Sequence, residues 1–234
     1  MTTKSMIRKG FTLVELTLVM AFMSILLLAI LYLTLHAGKL YTKGITNKTM
    51  NQVGRDVADL MKRDFLAANA SVIKVPGEVG SGDLKSGRIC TGNVSYVWNT
   101  APLLNSTSPK ITAAGNSITF RRVLDSSESL CTMDGMGRYP MNIPATMTST
   151  ELLAGTGRDF AIYTMSISPV ASDGGSNGLY GVKMVLGTNE SGTTKNDTTN
   201  GTGFQCLPPT DNAANFDYCT VEELYTILRV GGKD

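Results

Sequence analysis

Glu15 stands at the head of an apolar stretch, and no formal charge follows it from Leu16 to Gly38. A lone carboxylate buried there without a partner would cost several kcal/mol, so the residue asks for a nearby cation. One appears if the chain is cut between Gly10 and Phe11, because the cut frees the α-amino group of Phe11. One helical turn, Phe11-Thr12-Leu13-Val14-Glu15, then separates amine from carboxylate. In an assembly, the amine of one subunit would neutralise Glu15 of its neighbour. At low dielectric the attraction is large, so such a pair can select subunit register.

The other reactive side chains carry less. Four cysteines, Cys90, Cys131, Cys206 and Cys219, allow three pairings as two disulfides. Cys206 with Cys219 is favoured, because the loop between them is short and holds Pro208-Pro209. Closing a loop of that size contributes about 3 kcal/mol by restricting the unfolded chain. Cys90 with Cys131 follows by elimination. A zinc site is disfavoured, since there is no CxxC and only one histidine, His36. A serine or cysteine relay lacks its histidine for the same reason. Glu222-Glu223 and Asp211 with Asp217 read as scattered surface acids. Asp211, Asn215 and Asp217 as a calcium loop match no strong motif. Asp134-Gly135-Met136-Gly137 reads as a turn, and no glycine loop with a phosphate-binding lysine is present. The Asn-x-Ser/Thr triplets, such as Asn196-Asp197-Thr198, follow from composition. No enzyme, cofactor or metal is expected.

Nucleic acid is not expected either. A net charge of +2 on 234 residues is too small to point there. Arg121-Arg122 is the only arginine pair, and one strand would send its members to opposite faces. With 42% hydrophobic and 17% charged residues, the chain as a whole is not disordered.

The element that must position Glu15 is a helix. Twenty-three uncharged residues rise roughly 30 Å, enough to cross a bilayer core. Lys4, Arg8 and Lys9 precede the run, which places the N-terminus in the cytoplasm and the rest outside. A cleaved secretory signal is the rival, but the run is too long and Leu31 to Leu35 are bulky where small residues belong. His36-Ala37-Gly38 offers only a poor cleavage site. Beyond it, Met50, Val53, Val57, Leu60, Met61, Phe65, Ala68 and Val72 recur every three or four residues, predicting an amphipathic helix ended by Pro76-Gly77. Gly38 and Gly44 offer places for the helix to bend or loosen where it leaves lipid.

The stretch RKG-FTLVELTLVMAF resembles the class III signal of type IV prepilins and pseudopilins. Arg8, Lys9, Gly10, Phe11, Thr12, Leu13 and Glu15 all match that pattern. The resemblance implies cleavage after Gly10 by a prepilin peptidase and methylation of the Phe11 amine. It also implies a helix that is held first in the inner membrane and later in a filament core. VADLMKRDFLAA, with Lys62, Arg63, Asp64 and Phe65 at its centre, is similar to the matching helix of J-type pseudopilins and PilW-like minor pilins. The implied partners are other pilin or pseudopilin subunits, the peptidase, an inner-membrane assembly platform and membrane lipid. Loss of the ten-residue leader removes Lys4, Arg8 and Lys9 and takes the net charge from +2 to −1.

The remainder reads as strands and turns. Strands are expected over 117–123, 160–167, 179–186 and 225–230, with a hairpin tip from Pro169 to Gly178 and another hairpin from 88–90 and 94–98. Residues 187–203 read as a surface loop. The expected fold is therefore α+β and pilin-like, a long helix packed on a mainly antiparallel sheet. Its parts are a leader (1–10), a transmembrane and assembly helix (11–38), an amphipathic helix (39–75) and a β-rich head (76–234). The expected function is that of a minor pilin. A minor pseudopilin of a type II secretion system is the alternative. A membrane-anchored enzyme or ligand-binding domain with a pilin-like signal is the third reading.

Overall fold

The computed structural model describes residues 12–153, 159–172, 178–190, 194–196, 203–208 and 219–231. The chain parts into two compact units, 1–42 and 43–234. Helix α1, Leu13–Ala67, begins in the first and ends in the second. Every α1 residue from Leu13 to Tyr41 is exposed. Gly38 and Gly44 both continue the helix, and neither has a neighbour that an added Cβ would meet.

In the second unit, α1 buries Met50, Gly54, Val57, Met61 and Phe65. Their spacing of three and four residues puts them on one face. The sequence carries this helix to residue 75, but it ends at Ala67. There the Phe65 carbonyl accepts from Ala68 N at 3.1 Å and Gly231 N at 3.3 Å. Gly231 has to be glycine, since a Cβ there would lie 2.0 Å from the Leu66 carbonyl oxygen. Asn69 then starts a separate 3-10 turn, Ala70–Val72, its side chain accepting from Ser71 N at 3.1 Å.

In chain order the other elements are β1 (Lys74–Ser81), β2 (Leu84–Cys90), β3 (Val94–Asn99), the short helix α2 (Ala101–Leu104), β4 (Thr112–Ala113), β5 (Asn116–Ser117), β6 (Phe120–Leu124), β7 (Asn142–Ile143), β8 (Ser149–Glu151), β9 (Phe160–Ser172), β10 (Gly178–Thr188), β11 (Thr194–Asn196), β12 (Phe204–Cys206) and β13 (Val221–Arg229). Pro76 and Gly77 thus open a strand rather than close a helix. A five-stranded antiparallel sheet runs β1-β2-β3-β6-β8, and a three-stranded one runs β13-β10-β9. Two small sheets, β11-β12 and β5-β4-β7, complete the set, with β4 and β7 parallel. One long apolar N-terminal helix and mainly antiparallel sheets make the architecture α+β.

Other expected elements differ too, among them the hairpin tip expected from Pro169 to Gly178, whose residues 169–172 belong to β9 and pair with β10. The strand over 117–123 divides into β5 and β6, because buried Asn99 intervenes. Its amide donates to the carbonyls of Ile111 (2.9 Å) and Ile118 (2.8 Å), and its oxygen accepts from Ile111 N (2.9 Å). The stretch 187–203, read as loop, contains β11, which pairs with β12.

The main core lies under α1. Met50, Val57, Met61 and Phe65 pack on Tyr96, Trp98 and Phe120 of the larger sheet and on Val182, Met184, Leu186 and Leu228 of the smaller one. Each such side chain contributes about 1.5–3 kcal/mol by leaving water. The larger sheet's Val97 and Val123 belong to a second cluster, with Ile111, Ile118, Leu130 and Ile143. Glu78 of β1 joins the two sheets. It accepts from Met165 N at 2.6 Å, Thr164 Oγ1 at 3.2 Å and Trp98 Nε1 at 3.3 Å. Disulfides link Cys90 to Cys131 and Cys206 to Cys219, the pairing favoured from the sequence.

Candidate functional site

Gly10 and Phe11 lie outside the described residues. The site therefore begins at Thr12, whose N–H and Oγ1 both donate to Glu15 Oε2 at 3.0 Å, while Glu15 N donates to Thr12 Oγ1 at 3.3 Å. This reciprocal arrangement is a capping box, which satisfies orphan N–H donors at the start of α1. The T-x-x-E spacing announces it, so Glu15 has a local partner in addition to the cation expected for it. Oε1 of Glu15 has no partner among the described residues.

The helix that follows is long and apolar enough to cross a membrane. Its side chains are exposed, with Leu18 and Leu28 each at 67%. Its serine and threonine hydroxyls are satisfied internally. Thr17 donates to the Val14 carbonyl (2.9 Å), Ser24 to Met20 (2.8 Å) and Thr34 to Leu31 (2.9 Å). Such back-bonding lets a hydroxyl enter an apolar medium without an unmet donor. His36 stacks on Tyr32, with ring centroids 6.4 Å apart.

In the second unit, Asp64 holds α1 to the larger sheet. Arg122 Nε donates to Asp64 Oδ2 at 2.7 Å and Nη2 to Oδ1 at 2.9 Å, a two-pronged contact. Tyr96 Oη donates to the same Oδ2 at 2.5 Å. Hydrogen bonding to Asp64 raises the Arg122 guanidinium above its ordinary value. Burial, then the Asp64 hydrogen bond, pushes the Tyr96 phenol well up, so it remains a donor. Asp64 and Arg122 both stood out in the sequence, for separate reasons; nothing there paired them. Arg121 turns elsewhere, its Nε donating to Glu151 at 3.0 Å and its Nη1 to Ser149 Oγ at 2.9 Å. Each member of the arginine pair thus has its own acid.

Two polar centres shape the face behind the larger sheet. Arg88 is 1% exposed and donates from Nη1 to the carbonyls of Leu130 (2.9 Å) and Pro140 (3.1 Å), with its guanidinium 4.6 Å from the Tyr139 ring centroid. Burial pushes it down to about 10, still far above neutrality, so it stays charged. Asp125 is 1% exposed. Burial pushes its carboxyl up. The N–H groups of Leu130 and Ser129 and the hydroxyls of Ser95 and Ser129 outweigh that and hold it below its ordinary value. Both centres anchor the segment that Cys131 ties to Cys90.

The remaining sequence candidates do not converge. Glu223 pairs with Lys183 at 2.9 Å. Asp134 caps its own turn by accepting from Met136 N and Arg138 N, both at 2.9 Å. Asp211, Asn215 and Asp217 lie outside the described residues. Among the described residues no group of three or more His, Cys, Asp or Glu side chains could hold a metal ion.

No family model matches the chain, and neither the characterised proteins nor the solved structures compared with it include a match.

Proposed function

We propose that this chain is a minor pilin: an inner-membrane subunit with its head outside the cytoplasm, cut after Gly10, methylated at Phe11 and assembled into or at the tip of a type IV filament. The observation that carries the reading is Glu15. It is the single formal charge between Leu13 and Gly38, a stretch of α1 whose exposed surface is otherwise largely apolar and whose serine and threonine hydroxyls are bonded internally. A charge in that position has a use if a neighbour supplies a cation, and the amine of a processed Phe11 is one. The capping box leaves Oε1 open to receive it while Oε2 keeps its bonds to Thr12. The α+β head, held to its helix by Asp64, Arg122 and Tyr96, then contacts neighbouring subunits. The same chemistry serves a minor pseudopilin of a type II secretion system, the alternative reading.

Replacing Glu15 by alanine tests this reading. Membrane insertion is expected to stay intact, and incorporation into filaments, scored by immunoblot of sheared fibres, is expected to fall at least tenfold. Unchanged incorporation would remove Glu15 from the mechanism.

A further inference from the structure

Strand edges are normally guarded by prolines, bulges, charges or brevity, because unpaired N–H and C=O groups invite another strand. In the larger sheet both edges follow that rule. β1 carries Pro76 and a register shift between Lys74 and Gly77, and β8 is only three residues long. β13 does not. It pairs with β10 from Leu179↔Arg229 to Gly187↔Val221 without a shift, and among the described residues it has no strand on its other side. Its charges sit at its ends, Glu222 and Glu223 at one and Arg229 at the other. Between them Leu224-Tyr225-Thr226-Ile227-Leu228 is uncharged, free of proline and rich in strand formers.

A groove of about 360 Å³ runs beside this strand. One wall is β13 at Leu224 and Tyr225, the other is α1 at Arg55 and Ala58, and Met61 and Val182 contribute apolar lining. At Gly54 the helix lies against the strand's side chains, and an added Cβ would fall 2.1 Å from Leu224 Cδ1. One turn later Ala58 lines the groove with only a methyl group and leaves it unfilled. On the rim, Asp59 is neutralised by Lys62 at 3.0 Å. Arg55 is exposed with no ion pair among the described residues, and with Lys62 against Asp59 it gives the groove lining a net charge of +1.

An open strand edge facing a helix across an apolar groove is the arrangement in which an extended peptide adds to a sheet. Its backbone pairs with the edge, and alternate side chains enter the groove. We propose that β13 and α1 together receive an extended, acid-bearing segment of another protein subunit, which adds to the three-stranded sheet beside β13 with its carboxylate at Arg55. This inference rests on the head alone and does not depend on the reading of Glu15.

The test uses the full chain in lipid nanodiscs and two probe peptides, acetyl-Thr-Val-Glu-Val-Thr-Val-Thr-amide and its counterpart with lysine in place of glutamate. Hydrogen exchange read by mass spectrometry is expected to slow over Val221–Arg229 when the glutamate peptide is added. The lysine peptide should bind about fivefold more weakly, the range of an exposed ion pair. Arg55→Glu, an exposed site that leaves the fold alone, should reverse that preference. Ala58→Trp should fill the groove and abolish protection. Three results would each overturn the proposal: no protection of Val221–Arg229 at millimolar peptide, protection undiminished by Ala58→Trp, or protection that grows with protein concentration without peptide, which would mark self-pairing of two copies.

Discussion

Replacing Asp64 by alanine removes the acid that holds α1 to β6 and leaves two stranded groups, the Arg122 guanidinium and the Tyr96 hydroxyl. The side chains of Asp64 and Arg122 are 13% and 25% exposed, so the pair lies between a surface and a buried bridge. Breaking a fully buried pair costs 3–5 kcal/mol, and a hydrogen bond to a charged group is worth about 1.5–3 kcal/mol. With two prongs and a phenol lost, yet some water access, about 3 kcal/mol is expected. In a head of this size that corresponds to a fall in Tm of roughly 6–12 °C. Trp98, the single tryptophan, is 1% exposed in the core under α1, so its fluorescence reports the unfolding in detergent micelles. Arg122→Met should cost a similar amount, and the double variant little more than either single one, because the first change has already broken the unit. A Tm shift under about 2 °C, or strictly additive costs, would refute the claim that these residues act together.

The disulfides should contribute unequally. With sequence separations of 41 and 13, loss of Cys90–Cys131 is expected to cost about 4 kcal/mol and loss of Cys206–Cys219 about 3 kcal/mol. Denaturant unfolding of the two paired serine variants checks the order. Asp125 should make the head acid-sensitive. Its folded value lies below the ordinary 3.8, so its contribution is present above that pH and is lost as pH falls through the folded value. Asp125→Asn should therefore flatten the acid end of a stability profile measured by Trp98 fluorescence, and an unchanged slope would argue against the assignment.

The parts most legible in the sequence were those with a strong local period or spacing. The apolar run after Glu15 and the heptad-like row from Met50 to Phe65 both form one helix. The β9–β10 hairpin follows from two strand-forming runs around a glycine-rich tip. What failed was set at long range. Gly231 is 164 positions beyond Ala67, yet it helps to end α1 there by approaching its last turn. Asn99 divides β5 from β6 through hydrogen bonds to residues 12 and 19 positions away. The Asp64–Arg122 contact joins residues 58 apart. Around Glu15 the opposite held. The capping partner Thr12 is only three residues away, and the T-x-x-E spacing is itself a local signal for it.

The central claim concerns the first residues of the mature protein, and intact-mass and N-terminal peptide mass spectrometry of the membrane-extracted chain address it most directly. The proposed processing predicts a single N-terminus at Phe11 carrying one added methyl group on its amine. A chain that begins at Met1, or one that begins after Gly38, would contradict it.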